Sequence, residues 1–154
     1  MTWQFFLIKI ITLYYNKFFK SHDREKPILS VCTSCRDNRE NKYKIRGGKR
    51  FSKMLQKTIR YQNFLLREVK CMSQCKRACI VSLTAQDSFT YIFGDVDPNQ
   101  TKYAQELLEL VVIYSKAKEG FMRRRDRPDL FRSNILGRLP PINSTSEIVN
   151  NINK

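Results

Sequence analysis

The stretch "ACIVSLTAQDSFTYIFGDV" (residues 78–96) contains the clearest strand pattern in the chain. Two runs rich in β-branched and aromatic residues, 78–85 and 89–96, flank the polar triplet "QDS". Apolar runs separated by a short polar turn are typical of a β-hairpin. The hairpin therefore predicts two adjacent antiparallel strands, against which the other elements can be placed.

Two further strands and a helix are predicted upstream of the hairpin. "PILSVC" (27–32) and "FLLREV" (64–69) are short strand candidates. The polar segment 36–48 ends in two glycines and predicts a loop. A helix over about 49–62 is predicted by apolar residues at helical spacing, namely Phe51, Met54, Leu55 and Ile59.

A last helix is predicted to follow the hairpin. Asp97 is the expected N-cap, with Pro98 at the first helical position and Gln100 three residues after the cap. The helix is expected to end before Gly120, and its apolar stripe comprises Tyr103, Leu107, Leu110, Val111 and Tyr114. The order strand, helix, strand, hairpin, helix predicts a single α/β domain, with helices packed on a sheet of about four strands.

All five cysteines lie in two short windows. Cys32 and Cys35 form one pair, and Cys71, Cys75 and Cys79 follow each other at intervals of four residues. The odd count, with no convincing secretory signal, argues against a disulfide framework and favours metal ligands or redox groups in a cytoplasmic protein. If the first two strands are parallel neighbours, their carboxyl ends meet at one edge of the sheet, and the two windows face each other.

The spacing of the cysteines leaves the bound group open. Cys79 is in phase with Val81 and Leu83 along the third strand, and free cysteines are often buried, so we expect it in the core. Four thiols remain, enough for a zinc ion or an iron–sulfur cluster. A C-x₂-C followed by a C-x₃-C fits a cluster better than the paired C-x₂-C motifs of zinc sites.

"CTSC" (32–35) after a strand is also the pattern of a thioredoxin-type dithiol. Such a dithiol lies at a helix N-terminus, which lowers the thiol pKa. The residues after Cys35 show no helical stripe, and Ala78 stands where those enzymes carry a cis-proline, so dithiol exchange is the weaker interpretation. The sequence has no Ser–His–Asp set, phosphate loop or H-E-x-x-H helix, and we expect no enzymatic activity.

The formal net charge of +15 predicts attraction to acidic partners. The densest basic run, "FMRRRDRPDLFRSNILGR" (121–138), is interrupted by Asp126, Pro128 and Asp129 and has few aromatic residues. Direct nucleic-acid binding is therefore disfavoured. We expect an acidic redox protein or metalloprotein to dock near this run.

Residues 1–27 are predicted to be an N-terminal extension and linker, and residues 143–154 a flexible tail. The apolar run 5–15 is interrupted by Lys9 and is shorter than the roughly 20 residues of a membrane-spanning helix. Membrane contact through residues 1–20 is therefore not favoured, nor is a signal peptide, because a basic start and a small-residue cleavage site are missing.

Five motifs in order carry a family resemblance: "VCTSCR", "CMSQCKRACIVSL", "YIFGDV", "RDRPDLFR" and "GRLPP". On these motifs, residues 28–141 resemble an uncharacterised bacterial family of predicted metal-binding proteins. The second half is also similar to the thioredoxin-like 2Fe–2S ferredoxins. This resemblance implies a thioredoxin-like sheet over residues 28–142, with a 2Fe–2S cluster held at its edge.

The ligands that the resemblance implies are Cys32, Cys35, Cys71 and Cys75, with Cys79 in reserve. The ferredoxins space their first two ligands more widely than Cys32 and Cys35, and Cys79 has no ligand counterpart in them. The basic residues beside the ligand positions would raise the reduction potential of an anionic cluster, and they are Arg36, Lys70, Lys76 and Arg77. We expect a small electron-transfer or accessory protein; the alternative is a non-redox module that holds zinc or another soft metal.

Overall fold

The computed structural model describes residues 26–59 and 63–152. The expectations for residues 1–25, including the membrane contact, lie outside these ranges. In chain order the strands are β1 (Ile28–Cys32), β2 (Leu65–Val69), β3 (Val81–Thr84), β4 (Thr90–Phe93) and β5 (Ile135–Leu139). The helices are α1 (Glu40–Tyr43), α2 (Gly47–Thr58) and α3 (Thr101–Lys116).

The strands form one mixed sheet in the order β2-β1-β3-β4-β5. β1 and β2 are parallel, whereas β3 pairs antiparallel with β1 and β4, and β5 pairs antiparallel with β4. This is the predicted α/β architecture, and it is consistent with a thioredoxin-like sheet. The peptide bond between Ala78 and Cys79, just before β3, is cis.

The strand registers align the apolar residues of three strands on one face. Directly paired residues of neighbouring strands lie on the same face of a sheet. Leu29 of β1 pairs with Leu83 of β3, which in turn pairs with Tyr91 of β4. In the same way, Val31 pairs with Val81, and Val81 pairs with Phe93. All six side chains are completely buried, so this face is the centre of the core.

Helices α2 and α3 contact each other, and α2 also contacts β1. Helix α2 buries Phe51 and Leu55, two of the residues that predicted it. Helix α3 buries its predicted stripe except for Tyr103, which is partly buried against the core. None of the described helices has both the length and the apolar character needed to cross a membrane.

Two boundaries differ from the sequence predictions. Helix α2 begins at Gly47, so the two glycines open a helix and do not close a loop. Helix α3 begins at Thr101 with Gln100 as its N-cap, and Asp97 is wrong as the cap. The Asp97 carboxylate instead accepts a hydrogen bond from the backbone amide of Asn99 (3.0 Å), because the chain makes a separate turn before the helix.

The sheet has a fifth strand that the sequence analysis did not predict. β5 lies at the edge, where its residues are half-buried or exposed, and Gly137 interrupts its pattern. A register irregularity occurs at Ile92 and Phe93, where β4 pairs with β5. A strand that buries no complete face lacks the alternation by which strands are recognised in a sequence.

Candidate metal centre

The C-x₂-C segment is held between the ends of β2 and β3. The backbone amide of Cys32 donates to the carbonyl of Ile80 (3.0 Å). The backbone amide of Thr33 donates to the carbonyl of Val69 (2.8 Å), and that of Ser34 donates to the carbonyl of Lys70 (3.1 Å). Because β1 and β2 are parallel, their carboxyl ends meet here, and the two cysteine windows are adjacent.

The first turn of α2 packs directly on this segment. The amide of Gly48 donates to the carbonyl of Cys35 (3.2 Å). A Cβ on Gly48 would overlap the carbonyl oxygen of Cys32 and would lie 3.2 Å from the Cβ of Cys35. The glycine therefore permits the close approach. The "CTSC" segment therefore contacts a helix N-terminus, which the sequence does not predict, because that helix begins twelve residues after Cys35.

The buried thiols of Cys32, Cys35 and Cys79 are neighbours at this point, and Cys35 interacts with each of the other two. The hydrogen bond from Cys79, assisted by one from Cys32, lowers the pKa of Cys35 to about 6. The hydrogen bond to Cys35, together with burial, raises the pKa of Cys79. Burial, followed by the hydrogen bond with Cys35, raises the pKa of Cys32. This arrangement stabilises one thiolate, at Cys35, between two thiol donors.

Cys79 lies in the core, as its strand phase predicts, with none of its surface exposed. The strand pattern of residues 79–83 did not indicate that the Cys79 side chain also interacts with Cys35. An interaction between residues so far apart in the chain has no local sequence signal. The position of Cys79 just before β3 is the only feature of the sequence that relates to it.

The remaining cysteines, Cys71 and Cys75, are exposed in the loop between β2 and β3. The Cys71 sulfur accepts a hydrogen bond from the amide of Ser73 (3.4 Å), and Cys75 begins a 3₁₀ turn. The loop touches the other window, since the Cys32 thiol lies 3.9 Å from the carbonyl oxygen of Lys70. Within residues 26–59 and 63–152, no three Cys, His, Asp or Glu side chains are already arranged around a metal position.

A pocket of about 780 Å³ opens beside the two windows. Ser34 and Cys75, one from each window, both line it. The basic residues in its wall are Arg36, Arg39, Arg46 and Lys76. The acidic ones are Asp37, Asp95 and Asp97. Cys75 is thus accessible from a polar and charged opening.

An ion-pair network that the sequence analysis missed forms one wall of this pocket. The Asp37 carboxylate is almost fully buried and accepts hydrogen bonds from Arg39 (2.9 Å), Arg50 (2.5 Å) and Asn99 (3.2 Å). Burial opposes the charge on Asp37, but the two guanidinium groups and Asn99 lower its pKa overall. Arg39 also pairs with Asp97 (2.7 Å). The network joins the C-x₂-C segment to α2 and to the start of α3.

The four basic residues expected near the ligands differ in their partners. Arg77 forms a bidentate pair with Asp95, from Nε to Oδ1 (3.0 Å) and from Nη2 to Oδ2 (2.5 Å), which raises the pKa of Arg77 and offsets its charge. Arg36 and Lys76 line the pocket and form no ion pair among the described residues, so their charges act on the opening. Lys70 is exposed, and its backbone carbonyl makes the contacts described above.

The donor set fits a soft metal or an iron–sulfur centre. Among the described residues the site supplies five sulfur atoms and no imidazole, and thiolates are the preferred ligands of zinc and of 2Fe–2S clusters. Cys71 and Cys75 lie on a loop, so a four-thiolate centre would require the loop to bring them to the buried thiols.

Comparison with known proteins gave one match. A family model described as "Protein of unknown function (DUF1636)" matches residues 29–141. No curated protein and no solved structure matched.

Proposed function

Because the chain belongs to the DUF1636 family, whose description names no activity, we propose from its cysteines that it binds a thiolate-ligated 2Fe–2S cluster as an electron-transfer or accessory protein. The proposed ligands are Cys32, Cys35, Cys71 and Cys75, with Cys79 in reserve. The likeness to thioredoxin-like 2Fe–2S ferredoxins is part of this proposal.

One observation carries the proposal. The backbone bond from Ser34 to Lys70 (3.1 Å) holds the two cysteine windows side by side at the carboxyl edge of β1 and β2. Four thiols from two loops at one sheet edge are what a four-thiolate centre requires. Cys35 already favours the thiolate, the form that ligates metals.

The protein residues would set the charge around the centre. When bound, a 2Fe–2S cluster accepts or donates a single electron. Arg36 and Lys76, which have no ion-pair partner among the described residues, would offset the negative charge of the thiolates and of the added electron. An acidic redox protein or metalloprotein would dock near the basic run 121–138, in keeping with the net charge of +15.

Dithiol exchange receives less support. A dithiol that reacts with a protein partner needs a partly exposed nucleophile. Cys32 is 3% exposed and Cys35 is 1% exposed, so neither is accessible to a folded partner's disulfide. Cys71 and Cys75 are exposed, but no thiol contact joins them to each other.

The test is a visible absorption spectrum with iron, sulfide and zinc analysis of the full chain, purified without oxygen. Brown protein with about two irons and two sulfides per chain would support the proposal. Colourless protein with one zinc would replace it by the soft-metal module. Colourless protein free of metal, even after reconstitution with iron and sulfide, would overturn both.

A further inference from the structure

The basic run contains a buried arginine, Arg127, that the metal site does not use. Its surface is 6% exposed. Its Nη1 donates to the carbonyl of Phe131 over a long distance (3.4 Å), and its Nε is buried with no hydrogen-bond partner among the described residues. A buried charge is costly unless it is paired and hydrogen-bonded, so this guanidinium is incompletely satisfied.

The carboxylates nearest in sequence are engaged by other arginines. Asp126 pairs with Arg123 (2.8 Å) and more loosely with Arg125 (3.8 Å). Asp129 pairs with Arg132 (2.7 Å). Arg127 therefore has no ion-pair partner within the part of the chain that the structure describes.

Two more arginines belong to the surroundings of Arg127. Arg124 begins the 3₁₀ turn that ends at Arg127, and Arg138 is the cross-strand partner of Tyr91. Burial is the main cause that lowers the pKa of Arg127; Tyr91 opposes the shift, the positive charges of Arg138 and Arg124 add to it, and no carboxylate contributes. The backbone amide of Arg127 contacts the carbonyl of Arg124 (3.4 Å). The guanidinium of Arg138 lies 4.7 Å from the ring centre of Phe121 and has no ion pair with any residue that the structure describes. We name Arg124, Arg127 and Arg138 the arginine cluster.

We propose that the arginine cluster binds a phosphate group. Guanidinium groups match the oxygens of phosphate through paired hydrogen bonds. Three positive charges without a counter-charge are balanced better by a phosphate dianion than by a carboxylate, which carries one charge. Arg124 and Arg138 are exposed, so the phosphate group reaches the cluster from solvent and contacts Arg127 at its base. This site is independent of the proposed metal centre.

The test is calorimetric titration of the full chain with pyrophosphate at low salt. Arg124→Gln and Arg138→Gln remove exposed side chains and keep the fold. Each should weaken binding about tenfold, the loss expected for one charge-assisted hydrogen bond. The matched control is Arg125→Gln, which removes the same charge from a neighbouring, 75% exposed position and should change the affinity less than about threefold.

Two results would overturn the proposal. One is failure of the wild-type chain to bind pyrophosphate. The other is equal weakening by Arg125→Gln, since binding would then follow net charge and not the cluster.

Two further probes identify the source of the phosphate. A ten-nucleotide single strand and vesicles containing phosphatidic acid are titrated with the same variants. Tighter binding of either than of pyrophosphate, with the same loss in Arg124→Gln and Arg138→Gln, would assign the phosphate to a nucleic acid or to a lipid. If pyrophosphate binds most tightly, the ligand is a small phosphorylated molecule.

Discussion

The Cα of Gly48 lies so close to the carbonyl oxygen of Cys32 that no side chain fits between them. This contact sets the first turn of α2 against the C-x₂-C segment and determines how close Cys35 lies to the helix N-terminus. A backbone atom cannot rotate away as a side chain can, so the contact restricts position 48 to glycine.

Gly48→Ala should therefore destabilise the protein. We expect the free energy of unfolding in urea to fall by about 3 kcal/mol, at the upper end of overpacking costs, because the Cβ meets backbone. Gly137→Ala is the matched control, since a Cβ there meets nothing within 4 Å. It should change the stability by less than about 1 kcal/mol. Equal effects at the two positions would contradict the close packing at Gly48.

Serine replacements separate the proposed ligands from the core thiol. Cys75→Ser should bleach the visible absorption of the reconstituted protein, because a hydroxyl is a poor ligand for iron. Cys79→Ser should leave the absorption largely intact, since the hydroxyl still donates a hydrogen bond to the Cys35 sulfur. Equal loss in both variants would make Cys79 a ligand.

The segment after β5 is tied to Glu119 in a pH-dependent way. The Glu119 carboxylate accepts hydrogen bonds from the Ser144 hydroxyl (2.6 Å) and from the amide (3.0 Å) and hydroxyl of Thr145. These bonds lower the pKa of Glu119. The segment should be fully attached to Glu119 at pH values above the usual glutamate pKa. The attachment should weaken as the pH falls through the lowered pKa of Glu119.

Amide hydrogen exchange at Thr145 is the measurement. In the wild-type chain its protection should persist at pH 6 and disappear in acid. Glu119→Gln, which cannot be deprotonated, should reduce the protection at pH 6 and remove most of its pH dependence. Unchanged protection in Glu119→Gln would show that the carboxylate does not hold this segment.

The buried Arg127 should reduce stability when no anion is present. Arg127→Met keeps an unbranched, flexible side chain and removes a charge that lies beside two like charges. In phosphate-free buffer we expect the free energy of unfolding to rise by about 1 kcal/mol, as when unneeded buried charges are replaced by apolar groups.

Arg125→Met is the control for this change. Its side chain is 75% exposed, and the stability should stay within about 0.5 kcal/mol of the wild type. A large loss of stability in Arg127→Met would mean that the contact of Arg127 with the Phe131 carbonyl outweighs the cost of burying its charge.

The central sheet and the adjacency of the two cysteine windows could be predicted from the order of the residues. Strands β1, β3 and β4 and the apolar faces of α2 and α3 were predicted because side-chain burial repeats at the period of each element. The order of these elements allowed β1 and β2 to be parallel neighbours, in which case their carboxyl ends lie together. The structure confirms the parallel pairing, and with it the placement of Cys32 beside the loop of Cys71 and Cys75.

The contacts within the site became evident only in the folded chain. The pairing of Cys35 with Cys79, the packing of Gly48 on Cys32 and the ion pair of Asp37 with Arg50 each join residues 13 to 44 positions apart. Such contacts depend on how whole elements pack, and no periodicity marks them in the chain. The edge strand β5 was missed for a related reason, because its pairing with β4 comes from backbone hydrogen bonds, which every residue type except proline can make.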